Sequence, residues 1–272
     1  MKLAVSNIAW AAEEEPEMAR VLSDLGVQHV EIAPPKVFPD PLLASEMAWR
    51  QYSQFWHDHG ITIVAFQSLL FGRPECTLFG DKKGRTRLIN VLSRFINIAG
   101  EVGVERLVFG SPKNRQVPPE MSLGEARDIA ADVFSSLGVV AADSGTCLCI
   151  EPNPSVYDCN FVTTAAAGLE LVETVGNPGF GLHLDSACMA LAGDPVINAV
   201  NAAGVNLRHF HVSAPNLGAL EDIEVDHASA AAALRSINYD GFVSIEMRMG
   251  EPGASASAVG DAVGLARRYY AE

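Results

Sequence analysis

Apolar residues along this chain fall into short runs that recur from end to end, with amphipathic segments between them. Runs that read as buried β-strands start near Leu3 (LAVSN), Gln28 (QHVEIA), Ile61 (ITIVAFQ), Glu105 (ERLVFG), Cys147 (CLCIE), Gly181 (GLHLD), Asn206 (NLRHFHV) and Phe242 (FVSIEM). Between the first two, Met18, Val21, Leu22 and Leu25 stand at i, i+3, i+4 and i+7, the stripe of a helix that packs on one face, and Gly26 ends it. RLINVLSRFINIAGEVG, ARDIAADVFSSLGVVAADSG, AAAGLELVETVG, PVINAVNAAG, SAAAALRSINYDG and DAVGLARRYY read as helices by the same argument. The run Glu13-Glu14-Glu15 reads as a solvated first helical turn, where carboxylates oppose the positive end of the helix dipole.

Eight strand-helix repeats with no Pro/Ser-rich linker and no shift of composition predict α/β architecture, a single (β/α)8 TIM barrel over residues 1–272. A doubly wound open sheet would carry a GxGxxG turn after its first strand, and SNIAWAAEEE has none. The longer loops follow strands rather than helices: APPKVFPDP, SLLFGRPECTLFGDKKGRT, SPKNRQVPPEM and PNPSVYDCNF. In a barrel all of these emerge on the C-terminal face, where active sites lie.

Composition narrows the partners. A net charge of −14 and a pI near 4.9 argue against nucleic acid and against anionic membrane surfaces, since both demand a basic face. No run approaches the ~18 apolar residues of a membrane span, and the start of the chain turns polar too soon for a secretory signal. Five cysteines (Cys76, Cys147, Cys149, Cys159, Cys188) form no disulfide framework, so a reducing, cytoplasmic setting is expected.

The chemistry gathers in the second half. Glu151, Asp185, His211 and Glu246 each end an apolar run just before a polar, Gly- or Pro-bearing turn, and they stand 34, 26 and 35 residues apart, each interval long enough for one strand-helix unit. A buried carboxylate is costly unless it is paired or bound to a metal. Three carboxylates and an imidazole at equivalent strand ends therefore predict a shared divalent ion: Mn2+, Mg2+ or Co2+, with Zn2+ also compatible. Alternation along the strands places Cys149 with Glu151, His183 with Asp185, His209 with His211, and Ser244 with Glu246 and Arg248 on one side. If that side faces the barrel interior, His183 and His209 lie one layer below the ion and read as hydrogen-bonded supporting histidines rather than ligands. Glu31 and Gln67 end the second and third strands in the same way, positions suited to a substrate hydroxyl or to bracing the barrel mouth. Trp10, Phe71 and Phe161 lie just past strands, where packing is the commoner fate of aromatics than walling a pocket.

The segments IEPNP, HLDSACM, HFHVS and DGFVSIEM resemble the xylose-isomerase-like sugar isomerase and epimerase barrels, a superfamily that includes ketose 3-epimerases, hydroxypyruvate isomerase, inosose dehydratase and apurinic endonucleases. The resemblance runs over essentially the whole chain and is most specific from Cys147 to Arg248. It implies that Glu151, Asp185, His211 and Glu246 ligate one metal and that Glu151 and Glu246 also act as the acid/base pair. It further implies a role at the site for His227. Such an ion, chelating a carbonyl and the adjacent hydroxyl, acidifies the carbon-bound proton and stabilises an enediolate. Returning the proton on the opposite face epimerises, returning it to the neighbouring carbon isomerises, and losing a β-hydroxyl makes the enzyme a dehydratase of a keto-polyol or keto-acid.

Two departures bear on the substrate. Sugar epimerases of this family usually carry a histidine where this chain has Cys188, and an arginine after the HVS-type turn, which here reads SAPNLGAL. Cations lie elsewhere, at Arg73, Lys113, Arg115 and Arg248, and Arg115 and Arg248 are the candidates to bind a substrate phosphate or carboxylate. Gln67, Cys188 and His227 complete the expected substrate contacts. The expected partner is a small carbohydrate-like molecule, with relatives often homodimers or homotetramers. The endonuclease activity needs extra histidines where this chain has Glu31 and Gln67.

Overall fold

A computed structural model describes residues 1–220, 225–251 and 253–270. Eight parallel strands close into a barrel in sequence order: β1 (Lys2–Ser6), β2 (His29–Ile32), β3 (Thr62–Phe66), β4 (Arg106–Phe109), β5 (Cys147–Ile150), β6 (Phe180–Asp185), β7 (Leu207–Ser213) and β8 (Phe242–Glu246). Each begins within a residue or so of its apolar run, because a strand buried on both faces reads as a continuous hydrophobic stretch. The surrounding helices are α1 (Glu15–Asp24), α2 (Pro34–Val37), α3 (Glu46–Asp58), α4 (Lys82–Val102), α5 (Leu123–Asp143), α6 (Ala165–Val175), α7 (Ser186–Ala192), α8 (Val196–Ala203), α9 (His227–Ser236) and α10 (Ser255–Tyr270). The stretch resembling the family around His227 starts at Glu224, which lies outside the described residues.

The helix ends follow simple chemistry. Ser45, Asp81, Ser122, Thr164 and Asp226 accept hydrogen bonds from backbone N–H groups in the first turns of α3, α4, α5, α6 and α9, satisfying donors that a helix leaves unpaired. At the other end of α4, Gly103 takes φ 76°, a left-handed conformation that costs glycine nothing.

The hydrophobic pattern did not reveal α3, nor the short α2 and α7. In α3 only Trp49 and Trp56 are fully buried, so the inward stripe is two aromatics among polar residues. Trp56 meets Trp10 at 6.3 Å between ring centroids, and Trp49 meets Phe66 at 5.2 Å, so Trp10 is a core residue rather than a pocket wall. Each such aromatic contributes about 1.5–3 kcal/mol by leaving water. Phe161 likewise packs edge-on against Phe79, at 4.8 Å. Among the described residues no helix is long and apolar enough to cross a membrane, and all five cysteines are free and buried.

Strand register sets the site. His183 pairs with His209, Asp185 with His211, Ser213 with Glu246, and Ser6 with Glu31. Side chains two residues apart share a face of a strand. The register therefore stacks His183 and His209 one level below Asp185 and His211 inside the barrel.

Candidate metal centre

Each member of the quartet is delivered by a different strand end, and each end is built locally. Glu151 follows the fully buried β5, and Pro152 and Pro154 stop the strand immediately after it. Its backbone N–H donates to Phe109 O at 3.2 Å. Its Oε2 lies against Gly110, where an added Cβ would stand 1.9 Å from that oxygen, so only glycine leaves room for the carboxylate. Asp185 ends β6 and caps α7: Oδ1 accepts from Cys188 N at 2.6 Å and Oδ2 from Ser213 Oγ at 2.6 Å. His211 sits in β7, and Glu246 ends β8.

These side chains converge. Glu151, Asp185 and His211 each offer a ligand atom within 4.8 Å of the other two. His211 Nδ1 lies 3.3 Å from Glu246 Oε2 and 3.9 Å from Asp185 Oδ2. Its other nitrogen, Nε2, lies 2.9 Å from Oε2 of Glu31, a fully buried carboxylate reaching across from β2. A carboxylate on one ring nitrogen fixes the tautomer that turns the other toward an ion. Glu31 thus acts through His211, and it does not line the cavity.

Electrostatics tells the same story. Burial, then the charges of Glu246 and Asp185, pushes Glu151 up to about 8. Burial and then Glu246 raise Asp185 as well. Burial alone would lower His211, but Glu31 and Glu246 outweigh it and hold the imidazole well above its ordinary value. For Glu31 the balance runs the other way: burial opposes ionisation, and His211 with His209 overcomes it, holding the carboxyl well below its usual range. Three carboxylates crowded around a single imidazole, whose Nδ1 has no hydrogen-bond partner among the described residues, are a donor set that fits a divalent cation.

Above the quartet opens a cavity of about 930 Å³, within the usual range for small-molecule sites. Gln67, Cys188 and Arg248 all line it. Gln67 is tied down, its Nε2 donating to Ser6 Oγ at 2.6 Å, and Cys188 faces Asn153 Nδ2 at 3.7 Å. Arg248 is exposed at the mouth beside Lys113 and Arg73, the last already paired with Asp40 at 2.8 Å. Phe71 is the expected aromatic that does reach the cavity, at 76% exposure.

Two expected contacts lie outside it. Arg115 is fully buried, and its guanidinium donates to Phe109 O (3.0 Å), Glu151 O (2.6 Å) and Asn153 Oδ1 (2.6 Å). It clamps the β4 and β5 ends and supports Glu151 from behind. His227 lies at the start of α9, its Nδ1 2.9 Å from the phenol oxygen Oη of Tyr270 on α10. The expected supporting histidines also differ from each other. His209 Nε2 lies 3.3 Å from Glu31 Oε2, whereas His183 has no hydrogen-bond partner among the described residues, its Nε2 standing 3.6 Å from Glu151 Oε1.

Sequence reasoning missed Ser213, Asn153 and Gly110. Ser213 continues the alternation of His209 and His211 and was within reach of the period-two pattern. Gly110 carried no signal, since its role is the space it leaves.

The family described as xylose isomerase-like TIM barrel matches residues 19–268. An L-ribulose 3-epimerase of Methylomonas sp. is 32% identical over 128 residues, 47% of this chain and 44% of that protein. A D-psicose 3-epimerase of Agrobacterium fabrum is 32% identical over 124 residues, 45% and 43% of the two chains. The chain thus spans about half the length of the curated relatives it matches. Among solved structures, a D-psicose 3-epimerase in the presence of D-fructose superimposes with a TM-score of 0.83 at 19% identity, covering 100% of both chains. At that identity the likeness speaks for the fold alone.

Proposed function

This chain belongs to the xylose isomerase-like TIM barrel family, and from that premise we propose that it is a divalent-metal-dependent isomerase or epimerase of a small sugar, sugar phosphate or related polyhydroxy carbonyl compound. The observation that carries this reading is the convergence of Glu151, Asp185, His211 and Glu246 at the floor of the cavity, with His211 aimed by Glu31. Named 3-epimerases among its relatives support it.

The four residues would hold Mn2+, Mg2+ or Co2+, which suit three carboxylates and one imidazole; Zn2+ accepts the same donors. Bound there, the ion supplies Lewis-acid polarisation of a substrate carbonyl and its neighbouring hydroxyl. Everything else falls to the chain. Glu151 on β5 and Glu246 on β8 come from strands separated by β6 and β7, so they approach a substrate from different sides. One takes the carbon-bound proton and the other returns one. Ser213 and the Cys188 N–H hold Asp185 still, and Arg115 and Gly110 do the same for Glu151. Gln67 and Cys188 contact the substrate within the cavity, and Arg248 and Lys113 at its mouth meet an anionic group on it.

The test is metal analysis of the purified chain, followed by proton exchange in D2O with Mn2+ over a panel of ketoses, ketose phosphates and keto-acids. The expected result is deuterium at one carbon of one compound class, dependent on the ion. Metal bound without exchange into any compound, but with loss of water from a keto-polyol or keto-acid, would replace the isomerase with a lyase. A chain that binds no metal even after reloading would end the proposal.

A further inference from the structure

The reacting end of a substrate occupies only the deep part of the cavity. Glu151, Asp185 and His211 are buried at its floor, and a carbon that exchanges its proton must lie beside them. The cavity holds about 930 Å³, near the top of the roughly 300–1,000 Å³ over which small-molecule sites range. A single monosaccharide belongs at the small end of the ligands such sites take, so the outer part of the space is left for something more.

That outer part is apolar, and it is rigid. Phe71 presents its ring there from the loop between β3 and α4, joined by the partly exposed Pro112, Tyr157 and Leu217 from the loops after β4, β5 and β7. The loop that carries Phe71 is braced by three linked turns: Phe71 N donates to Ser68 O at 3.0 Å, Arg73 N to Leu70 O at 3.1 Å, and Cys76 N to Arg73 O at 3.1 Å. Buried Asn114 adds two more bonds, donating from Nδ2 to Arg73 O at 2.9 Å and to Cys76 O at 2.7 Å. Arg73 is tied to Asp40, and the neighbours Leu69, Leu70 and Cys76 are buried. Phe71 stays 76% exposed on this anchored loop. An aromatic held out in water, continuous with an apolar cavity wall, is the mark of a contact surface for a ligand.

We propose that the mouth is an outer subsite for a second sugar ring, so that the substrate is a glycosylated ketose or related keto-sugar rather than a free monosaccharide. This rests on the isomerase or epimerase reading above. The carbonyl end reaches the floor, and the appended ring lays its C–H face on Phe71, leaving its hydroxyls at the ring edge. Lys113 and Arg248, exposed at the same mouth, donate to those hydroxyls or to an acidic substituent on the ring. The outer ring supplies binding remote from the reacting carbon, and a surface already fixed in place loses little entropy in providing it.

The test compares two probes with the same carbonyl end: D-fructose, and isomaltulose, which is fructose carrying a glucose ring on its last carbon. Proton exchange in D2O is followed with the full chain loaded with Mn2+. Wild type is expected to favour isomaltulose in kcat/KM by about tenfold or more, the scale of one ring stacked on an aromatic. Phe71→Ala, at an exposed position that folding does not need, should bring that ratio close to one, and Phe71→Trp should keep it. Isomaltulose no better than D-fructose in wild type, or a preference that survives in Phe71→Ala, overturns the subsite. A Phe71→Ala variant that lowers the oligomeric state and keeps the preference would assign Phe71 to a contact with a second copy, and the subsite falls. If neither probe exchanges, the reaction reading fails for ketoses and calorimetry decides the subsite separately. Isomaltulose bound about tenfold tighter than D-fructose, with the difference lost in Phe71→Ala, upholds it, and equal binding overturns it.

Discussion

At the C-terminal ends of β1 to β3, Asn7, Gln67 and Glu31 each have a hydrogen-bond partner within the protein. Asn7 Oδ1 accepts from Ala33 N at 2.8 Å, Gln67 donates to Ser6, and Glu31 is held by two histidines. At the ends of β5 to β8 the same level of the barrel holds Glu151, Asp185 and Glu246, which repel one another around a single imidazole. Both halves are built from the same repeat, and both bury polar groups. The difference lies in whether the protein itself completes the electrostatics. In the first half it does, and the polar groups brace the structure. In the second it does not, and that crowding of carboxylates is what the proposed ion would relieve. Glu31 ties the two together, since it sits in the first half and hydrogen-bonds His211 in the second.

The largest expected effect separates the halves outright. Glu246→Gln or Glu151→Gln, saturated with ion, should slow proton exchange into substrate by about a hundred- to ten-thousandfold, the usual contribution of an acid/base group. Full turnover in either variant would break the comparison.

Next comes the link between halves. Glu31→Gln should weaken binding of Mn2+ at the quartet by about 10- to 100-fold, because supporting carboxylates contribute on that scale. Calorimetry would read it, and unchanged affinity would make the halves independent.

A third prediction concerns pH. The metal-free protein holds Glu151 at about 8, above its ordinary 4.5, so between these values the native state keeps a proton that the unfolded chain has released. That contribution to stability is complete below about 4.5 and is lost as the pH rises to about 8. Thermal melts of chelated protein should therefore fall over this window, and added Mn2+ should raise the midpoint more at pH 8 than at pH 6. An equal rise at both would argue against crowded carboxylates as ligands.

The smallest effect tests the quiet half. Gln67→Leu removes one buried hydrogen bond to Ser6 and should cost about 1 kcal/mol, or about 2–4 °C in midpoint, with ion affinity unchanged. A loss of ion binding there would mean that the first half shares the metal site.

Much of this architecture was legible before any coordinates. Strands buried on both faces announce themselves as apolar runs, so the eight strands and their order could be read directly. The helix α3 escaped because its inward stripe is only Trp49 and Trp56. Charged residues that end apolar runs pointed to the quartet that the structure brings together, since burying them without a partner would be costly. Arg115 misled for a physical reason: an arginine on a mouth loop can reach solvent and substrate or fold back onto backbone carbonyls, and the loop conformation decides which.

The sequence by itself determined the repeat, the barrel, and the identity and strand-end positions of Glu151, Asp185, His211 and Glu246, because periodicity and burial cost are local properties of a segment. Only the tertiary structure decided that Glu31 orients His211, that Gly110 makes room for Glu151, that Arg115 turns inward, and that His183 has no hydrogen-bond partner among the described residues. Glu31 and His211 lie 180 residues apart in the chain. No local pattern spans that interval, and only closure of the barrel brings β2 and β7 to face each other across its axis.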